Sequence, residues 1–264
     1  HENAQVFAAL PANGVAVFPA DEPYAPLWRD MAHGRPVQTF ALDADAGADV
    51  YALRHEWTGQ HWALTLHTPS GVLSCQWALA GLHNVRNALA ATATALAAGL
   101  PLSAIAAGLN TFAPVKGRSM AVPMRHADGQ AWTLVDDSYN ANPDSVLAAI
   151  DMLACMPSPR ALLLGDMGEV GDQGLAFHQE VLRRAMAVGI DAIWVSGDWM
   201  RQAVQSLALQ ATVRVFDQVP DMAQAAVEQA QHWHSVLVKG SRFMRMERVV
   251  SALHANNTGS GDAA

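Results

Sequence analysis

The feature that most constrains the fold is a regular alternation of short apolar runs and longer helical patterns in the second half of the chain. Each run has the length of a buried strand, and connections of this length join parallel strands. The alternation therefore predicts an α/β fold with a mostly parallel, doubly wound sheet. The strand candidates are residues 132–135, 161–164, 192–195, 213–216 and 236–238. The helix candidates are residues 143–153, 175–188, 200–208, 221–232 and 244–254.

The first 113 residues follow a different pattern. From residue 49 to residue 77 apolar and polar side chains alternate, with turn sequences at 58–60 and 68–71. This pattern predicts a β-meander of about three strands. The chain is therefore expected to divide into a domain at 1–113, a linker at 114–118, a second domain at 119–254 and a disordered tail at 255–264.

Composition excludes several classes of protein. The 264-residue chain carries a net charge of −8, which offers no basic surface for nucleic acid. No apolar run is long enough to span a bilayer. The two cysteines, Cys75 and Cys155, lack metal-site spacing and are typical of reduced thiols in a cytoplasmic protein. The start has neither an initiator Met nor a signal peptide, so a processed, trimmed or partial product is expected.

A polar turn at residues 136–142 joins the first strand of the second domain to a helix. Asn142 is a candidate N-cap and Pro143 suits the first helical position. Polar groups at such a junction can bind nucleotides or anions, because a helix dipole begins there. Asp137 is a candidate acceptor for ribose hydroxyls, although an ordinary Asx-rich turn would also explain this composition.

Charged and glycine-rich segments also follow the other strands. Residues 165–171, 196–198 and 239–242 lie at predicted strand ends, which share one edge in a parallel sheet. Asp166 or Glu169 is a candidate for contacting a ligand, and either could equally belong to a turn. His178 is interpreted as a surface or packing residue rather than a catalyst.

Several nucleotide-binding motifs are absent from these residues. The sequence contains no Gly-x-x-x-x-Gly-Lys-Ser/Thr phosphate loop and no Gly-x-Gly-x-x-Gly after a strand. The second absence argues against a dinucleotide-dependent dehydrogenase. No cluster of His, Cys and carboxylates has metal-site spacing, so no metal site is expected in this chain.

Five motifs in order closely resemble those of the Mur ligase family. They are residues 81–91, GLHNVRNALAA; 116–118, KGR; 136–145, DDSYNANPDS; 164–169, LGDMGE; and 238–242, VKGSR. The resemblance implies that residues 1–113 are the later part of a central ATPase domain. It also implies that residues 119–254 are a Rossmann-like C-terminal domain. The N-terminal domain and the phosphate loop are expected upstream, so the chain alone is expected to be inactive.

The resemblance also implies a reaction in peptidoglycan precursor synthesis. The motif sequences are most similar to those of the family member that adds D-Ala-D-Ala to UDP-MurNAc-tripeptide. ATP phosphorylates the tripeptide carboxylate, and the dipeptide amine then displaces phosphate from the acyl phosphate. Such an enzyme requires ATP and Mg²⁺ and works in the cytoplasm. The side chains that coordinate Mg²⁺ are expected upstream of His1.

Site residues carry over from the family by motif position. His83, Asn84 and Asn87 are expected at the adenine. A second set is expected to complete the ATP site: Arg118, Asp137, Tyr139, Asn140 and Asn142. A third set is expected to contact the incoming dipeptide or the acyl phosphate: Lys239, Ser241 and Arg242.

Two other readings stay open from the sequence. One is a related ATP-dependent amide ligase, either a sibling Mur ligase or an enzyme like folylpolyglutamate synthase; the wording of residues 139–142 argues against both. The other is a non-catalytic module that binds a nucleotide or a partner, which gains weight because the phosphate loop is absent.

Overall fold

The computed structural model describes residues 2–58, 61–126 and 128–258. The chain divides into two compact units, His1–Ala113 and Pro114–Ala264. The division falls where the sequence predicts the linker to begin. Each unit has its own sheet and its own hydrophobic core.

The first unit is built on a five-stranded sheet. Its strands are β1 (Ala16–Pro19), β2 (Val37–Ala41), β3 (Val50–Trp57), β4 (Trp62–Thr68) and β5 (Gly71–Trp77), and they lie in chain order across the sheet. β1, β2 and β3 pair in parallel, whereas β3, β4 and β5 pair antiparallel. The predicted meander is therefore confirmed, although residues 59 and 60 of its first turn lie outside the described residues.

Among the described residues three α-helices accompany this sheet: α1 (Ala25–Met31), α2 (Leu82–Ala97) and α3 (Leu102–Thr111). One core joins β3, β4 and β5 to α2 and α3, and it buries Leu64 and Leu66 from β4 and Leu89 from α2. The alternating burial along β4 and β5 follows from the period-2 pattern in the sequence, which places apolar side chains on one face. This packing fixes the start of α2 close to the end of β5.

The second unit has a six-stranded sheet with helices on both faces. Its strands are β6 (Met120–Arg125), β7 (Ala131–Asp137), β8 (Arg160–Gly165), β9 (Ala192–Ser196), β10 (Val213–Phe216) and β11 (Ser235–Lys239). The order across the sheet is β10-β9-β8-β11-β7-β6, parallel except for β6, which pairs antiparallel with β7. This confirms the predicted doubly wound α/β fold.

The helices of the second unit are α4 (Pro143–Ala154), α5 (Gly174–Ala187), α6 (Asp198–Ser206), α7 (Val219–Gln229) and α8 (Glu247–Thr258). One core lies between the sheet and α7 and α8, and a second lies between the sheet and α4, α5 and α6. Leu134 faces the first core and Val135 the second, as expected for a strand that is buried on both sides.

The last helix differs from the sequence prediction at both ends. A 3₁₀ turn at Arg242–Met244 precedes it, and Arg245 adopts a left-handed φ of 55°, so the α-helix begins at Glu247 rather than at 244. The helix continues to Thr258, four residues into the stretch predicted as a disordered tail. The rest of that tail, 259–264, lies outside the described residues. None of the helices described in the structure is long and apolar enough to cross a membrane.

Candidate functional site

The ends of three neighbouring strands in the second unit form the candidate site. β11 lies between β7 and β8, and its register places Lys239 opposite Asp137 on one side and Leu164 on the other. The loops that follow these strands therefore start at one sheet edge, as the sequence predicts for a parallel sheet.

Lys239 and Asp137 form a buried ion pair at this edge. Nζ of Lys239 lies 2.6 Å from Oδ2 of Asp137 and 3.0 Å from the backbone oxygen of Asn140. Oδ1 of Asp137 accepts hydrogen bonds from the backbone N–H and the hydroxyl of Ser119. Lys239 is 3% exposed and Asp137 8%. The ammonium therefore fixes the loop after β7, and its predicted contact with substrate stays a prediction.

Asp136 fastens the end of the predicted linker to β7. Its Oδ2 accepts from the backbone N–H of Gly117, and its Oδ1 accepts from the N–H and hydroxyl of Ser138. The backbone N–H of Tyr139 in turn donates to the oxygen of Gly117. Residues 117–119 are thus part of the second unit rather than free linker.

Two guanidinium groups lie on one aromatic ring at this edge. The guanidinium carbon of Arg118 lies 4.4 Å from the ring centroid of Tyr139, and that of Arg242 lies 5.7 Å from the same centroid. The tyrosine residue is 43% exposed. Cations over an exposed aromatic face contribute roughly 0.5–1 kcal/mol each. The result is a cationic and aromatic surface that suits an anionic ligand with a planar group.

Ser241 joins the loops after β7, β8 and β11. Its hydroxyl donates to the backbone oxygen of Ala141 and accepts from the N–H of Gly168. Its own N–H donates to the backbone oxygen of Asp166. The serine is 2% exposed. Its one hydroxyl proton is therefore used within the protein, and the predicted contact with the dipeptide stays a prediction.

Asn140 and Asn142 have local roles in the turn. Oδ1 of Asn142 accepts from the N–H of Ser145, and the Ser145 hydroxyl accepts from the N–H of Asn142, which completes a capping box at the start of α4. Oδ1 of Asn140 accepts from the N–H of Ala141. The predicted N-cap is confirmed, and the predicted nucleotide contacts of both asparagines stay predictions.

The predicted adenine residues lie together at the start of α2 in the first unit. Nδ2 of Asn84 donates to the backbone oxygen of Ala80, 2.7 Å away, and lies 3.0 Å from Nε2 of His83. Oδ1 of Asn84 accepts from Nδ2 of Asn87. Asn84 is buried and Asn87 exposed, so Asn87 is the better placed of the two to meet a ligand.

Sequence reasoning missed one pairing and left the position of one histidine open. Arg86 on α2 forms ion pairs of 2.7 Å with Asp21 and 3.1 Å with Glu22, and no motif signals this pairing. His178, interpreted from the sequence as a surface or packing residue, is fully buried, which agrees with packing. A signal did exist, since His178 falls at helical spacing from Val181 and Leu182 on the buried stripe of α5.

Asp166 accepts hydrogen bonds at the start of α6, from the N–H groups of Trp199 and Met200. Burial raises the pKa of the Asp166 carboxyl, against the opposing effect of these two donors. Burial lowers the pKa of His178, whose Nε2 lies 3.7 Å from Oδ1 of Asp166. Among the described residues no group of three or more His, Cys, Asp or Glu side chains is arranged to hold a metal ion.

Two family descriptions match the chain. "Mur ligase middle domain" matches residues 1–95, and "Mur ligase, glutamate ligase domain" matches residues 123–242. The UDP-N-acetylmuramoyl-tripeptide–D-alanyl-D-alanine ligase of Escherichia coli K12 is 37% identical over 259 residues, which cover 96% of this chain and 55% of that protein. The ligase of the same name from Haemophilus influenzae is 33% identical over 251 residues, 94% of this chain and 53% of that protein.

Solved structures give the same picture. A crystal structure of MurF from Acinetobacter baumannii superposes with a TM-score of 0.83 at 29% identity, over 96% of this chain and 54% of that one. MurF from Thermotoga maritima, in complex with ADP, superposes with a TM-score of 0.77 at 19% identity, over 94% of this chain and 55% of that one, and shows a likeness of fold. The chain spans about half the length of the curated relatives it matches.

Proposed function

Because the chain belongs to the Mur ligase family, we propose that the complete protein is an ATP-dependent ligase of peptidoglycan precursor synthesis. It joins D-alanyl-D-alanine to UDP-MurNAc-tripeptide through a new amide bond. The observation that carries this proposal is the 37% identity, over 96% of the chain, to a protein that bears the name of this activity. The reaction consumes ATP, so we place it in the cytoplasm.

The proposed reaction has two steps. A carboxylate oxygen of the tripeptide takes the γ-phosphoryl group of ATP, which gives an acyl phosphate and ADP. The dipeptide amine then attacks the acyl carbon, the C–O bond to phosphate breaks, the nitrogen loses a proton, and inorganic phosphate leaves. Phosphorylation is needed because a carboxylate is a poor electrophile, and the charge that develops on the phosphates must be offset by cations and N–H donors.

The second unit contributes the residues that bind and orient ligands at this edge. Arg118 brings a positive charge to the partly exposed ring of Tyr139, where phosphate oxygens and a planar base can both be met, and Arg242 approaches the same ring from the segment proposed to contact the dipeptide or the acyl phosphate. Within the described residues Oδ2 of Asp137 accepts from Lys239, and a carboxylate oxygen has two lone pairs. Asp137 can therefore accept a ribose hydroxyl while it stays paired with Lys239.

Magnesium would supply charge neutralisation on the transferred phosphoryl group. The part of the chain that the structure describes holds no cluster of metal-ligating side chains.

The proposal is tested with the complete gene product. Phosphate release from ATP is measured with UDP-MurNAc-tripeptide and either D-Ala-D-Ala, glutamate or no amine. We expect release only with D-Ala-D-Ala, together with one new amide product by mass spectrometry. Release stimulated by glutamate would assign the protein to a related ligase, and no binding of ATP, ADP or D-Ala-D-Ala by calorimetry would identify a non-catalytic module.

A further inference from the structure

His178 is a fully buried side chain on α5 with a partner at each ring nitrogen. Nδ1 lies 2.6 Å from the backbone oxygen of Gly174, and Nε2 lies 2.9 Å from the backbone nitrogen of Met167. A carbonyl oxygen only accepts and a backbone N–H only donates, so Nδ1 carries the proton and Nε2 accepts. The geometry thus requires a neutral imidazole.

Met167, whose N–H donates to His178, lies in the loop after β8. Its neighbours Asp166 and Gly168 both make long-range contacts. The carboxylate of Asp166 accepts from the N–H groups of Trp199 and Met200 at the start of α6. The backbone oxygen of Asp166 accepts from the N–H of Ser241. On the other side of Met167, the N–H of Gly168 donates to the Ser241 hydroxyl. His178 therefore reaches the segment before Arg242 through two successive backbone positions.

Close packing leaves this arrangement little freedom. A Cβ added to Gly197, whose φ is 124°, would overlap the carboxyl group of Asp166. A Cβ added to Gly168 would lie 3.2 Å from the Ser241 hydroxyl and 3.2 Å from the ring of Phe243. The His178 ring also stacks on Trp199, with centroids 6.2 Å apart. A shift of the imidazole would therefore be transmitted to the loop rather than absorbed locally.

We propose that His178 is a positioning residue: its neutral imidazole holds Met167 and Gly168 in place and, through the Ser241 hydroxyl, sets the position of the Arg242 segment for the incoming amine substrate. This inference rests on the proposed ligase function. It assigns His178 no contact with substrate. Its effect on the reaction passes through the bonds from Met167 and Gly168 to Ser241.

Protonation of His178 would break its hydrogen bond with Met167. A proton on Nε2 would point at the N–H of Met167, so the hydrogen bond between them would be lost. Burial disfavours the charged imidazole, whereas Asp166 favours it from 3.7 Å. The charge of Asp198, at the start of α6, raises the pKa of Asp166. Asp151 on α4 forms an ion pair with Arg184 of α5. The acid limb of activity due to His178 should therefore lie below the usual histidine range, about pH 6.5.

The test compares His178→Phe, which removes both ring nitrogens, with His178→Gln, whose amide oxygen can replace the Nε2 acceptor. His232→Gln, at an exposed histidine, is the matched control. All variants are made in the complete gene product. Hydrogen-exchange protection of the peptide covering 165–170 is measured beside steady-state kinetics.

In His178→Phe we expect protection of the Met167 and Gly168 amides to fall about tenfold, as for one lost hydrogen bond. We expect KM for D-Ala-D-Ala to rise about tenfold by the same loss, with KM for ATP within about twofold. His178→Gln should keep both values close to the parent and lose the acid limb of the pH profile. His232→Gln should change none of them.

Unchanged protection in His178→Phe would overturn the proposal, as would equal rises in KM for ATP and D-Ala-D-Ala. If His178→Phe does not fold, the acid limb in His178→Gln decides: its persistence contradicts the role and its loss supports it. A parent protein with no ligase activity would refute the proposed function instead. In that case the exchange measurement still decides whether His178 holds the loop.

Discussion

The ammonium of Lys239 lies 2.6 Å from the carboxylate of Asp137, a residue 102 positions earlier in the chain. Parallel pairing of β11 with β7 places the two residues side by side at the ends of their strands. Both are buried, so neither charge can be satisfied by water if the other is removed. This pair joins two of the motifs that mark the family. It is therefore expected to contribute to the stability of the fold as well as to the chemistry of the site.

Lys239→Met should destabilise the chain strongly, because it leaves the Asp137 carboxylate buried without its cation. We expect a loss of about 3 kcal/mol in the free energy of unfolding, the usual range for breaking a buried pair. Urea unfolding followed by tryptophan fluorescence measures it. The double variant Asp137→Asn with Lys239→Met should recover part of the loss, since no charge remains unpaired.

The control for this prediction is Arg54→Met, which breaks the ion pair of Arg54 with Glu56 on the first unit. Both side chains of that pair are more than half exposed. The change should stay within about 0.5 kcal/mol. A comparable loss in the two single variants would show that the Lys239 pair is not effectively buried.

Gly117→Ala should weaken the attachment of residues 117–119 to β7. Gly117 has a φ of 81°, and a Cβ there would lie 3.0 Å from the backbone nitrogen of Tyr139. Gly189 has a similar φ of 71° with open space around it. A left-handed alanine costs about 1–2 kcal/mol, so Gly189→Ala should show that loss alone and Gly117→Ala a larger one.

Gly108→Ala should change the free energy of unfolding in the opposite direction and serves as a comparison. Gly108 lies within α3 and has nothing within 4 Å of an added Cβ. Alanine there should stabilise the first unit by up to about 1 kcal/mol, because it raises helix propensity. Equal free energies of unfolding for Gly117→Ala and Gly189→Ala would contradict the close approach to Tyr139.

Tyr139→Ala should lower affinity for ATP in the complete protein, because it removes the ring on which Arg118 lies. We expect KM for ATP to rise about fivefold, the equivalent of roughly 1 kcal/mol of cation–π contact. Tyr139→Phe keeps the ring and should stay within about twofold. A large rise in KM for ATP with phenylalanine would transfer the role from the ring to the hydroxyl.

The two thiols should differ sharply in reactivity. Burial raises the pKa of the Cys75 thiol to about 11, whereas Cys155 is exposed. The thiolate is the reactive form, so at pH 8 a disulfide reagent such as DTNB should titrate Cys155 quickly and Cys75 only after unfolding. Cys155→Ser should then show no fast phase. A fast phase in that variant would mean that Cys75 is accessible in the folded chain.

Local patterns could predict the elements but not their partners. The period-2 and helical patterns predicted the meander, the doubly wound sheet and the cap at Asn142, because each depends on a few neighbouring residues. The insertion of β11 between β7 and β8 joins segments far apart in sequence, and no local pattern encodes it. The Lys239 pair and the Ser241 contacts follow from that insertion. They therefore became visible only in the structure.

The stability of the chain should fall with decreasing pH through His178. Its pKa is lowered in the fold, so below about pH 6.5 the unfolded chain binds a proton that the native chain resists. The stability is fully present above that value and declines as pH falls towards the lowered pKa. The raised pKa of Asp166 acts in the opposite sense at more acid pH, since proton uptake by the native carboxyl then favours folding. Urea midpoints at pH 7.5 and 5.5 should therefore differ less in His178→Gln than in the parent or in His232→Gln. An equal pH dependence in all three proteins would contradict the role of His178 in the pH dependence of stability.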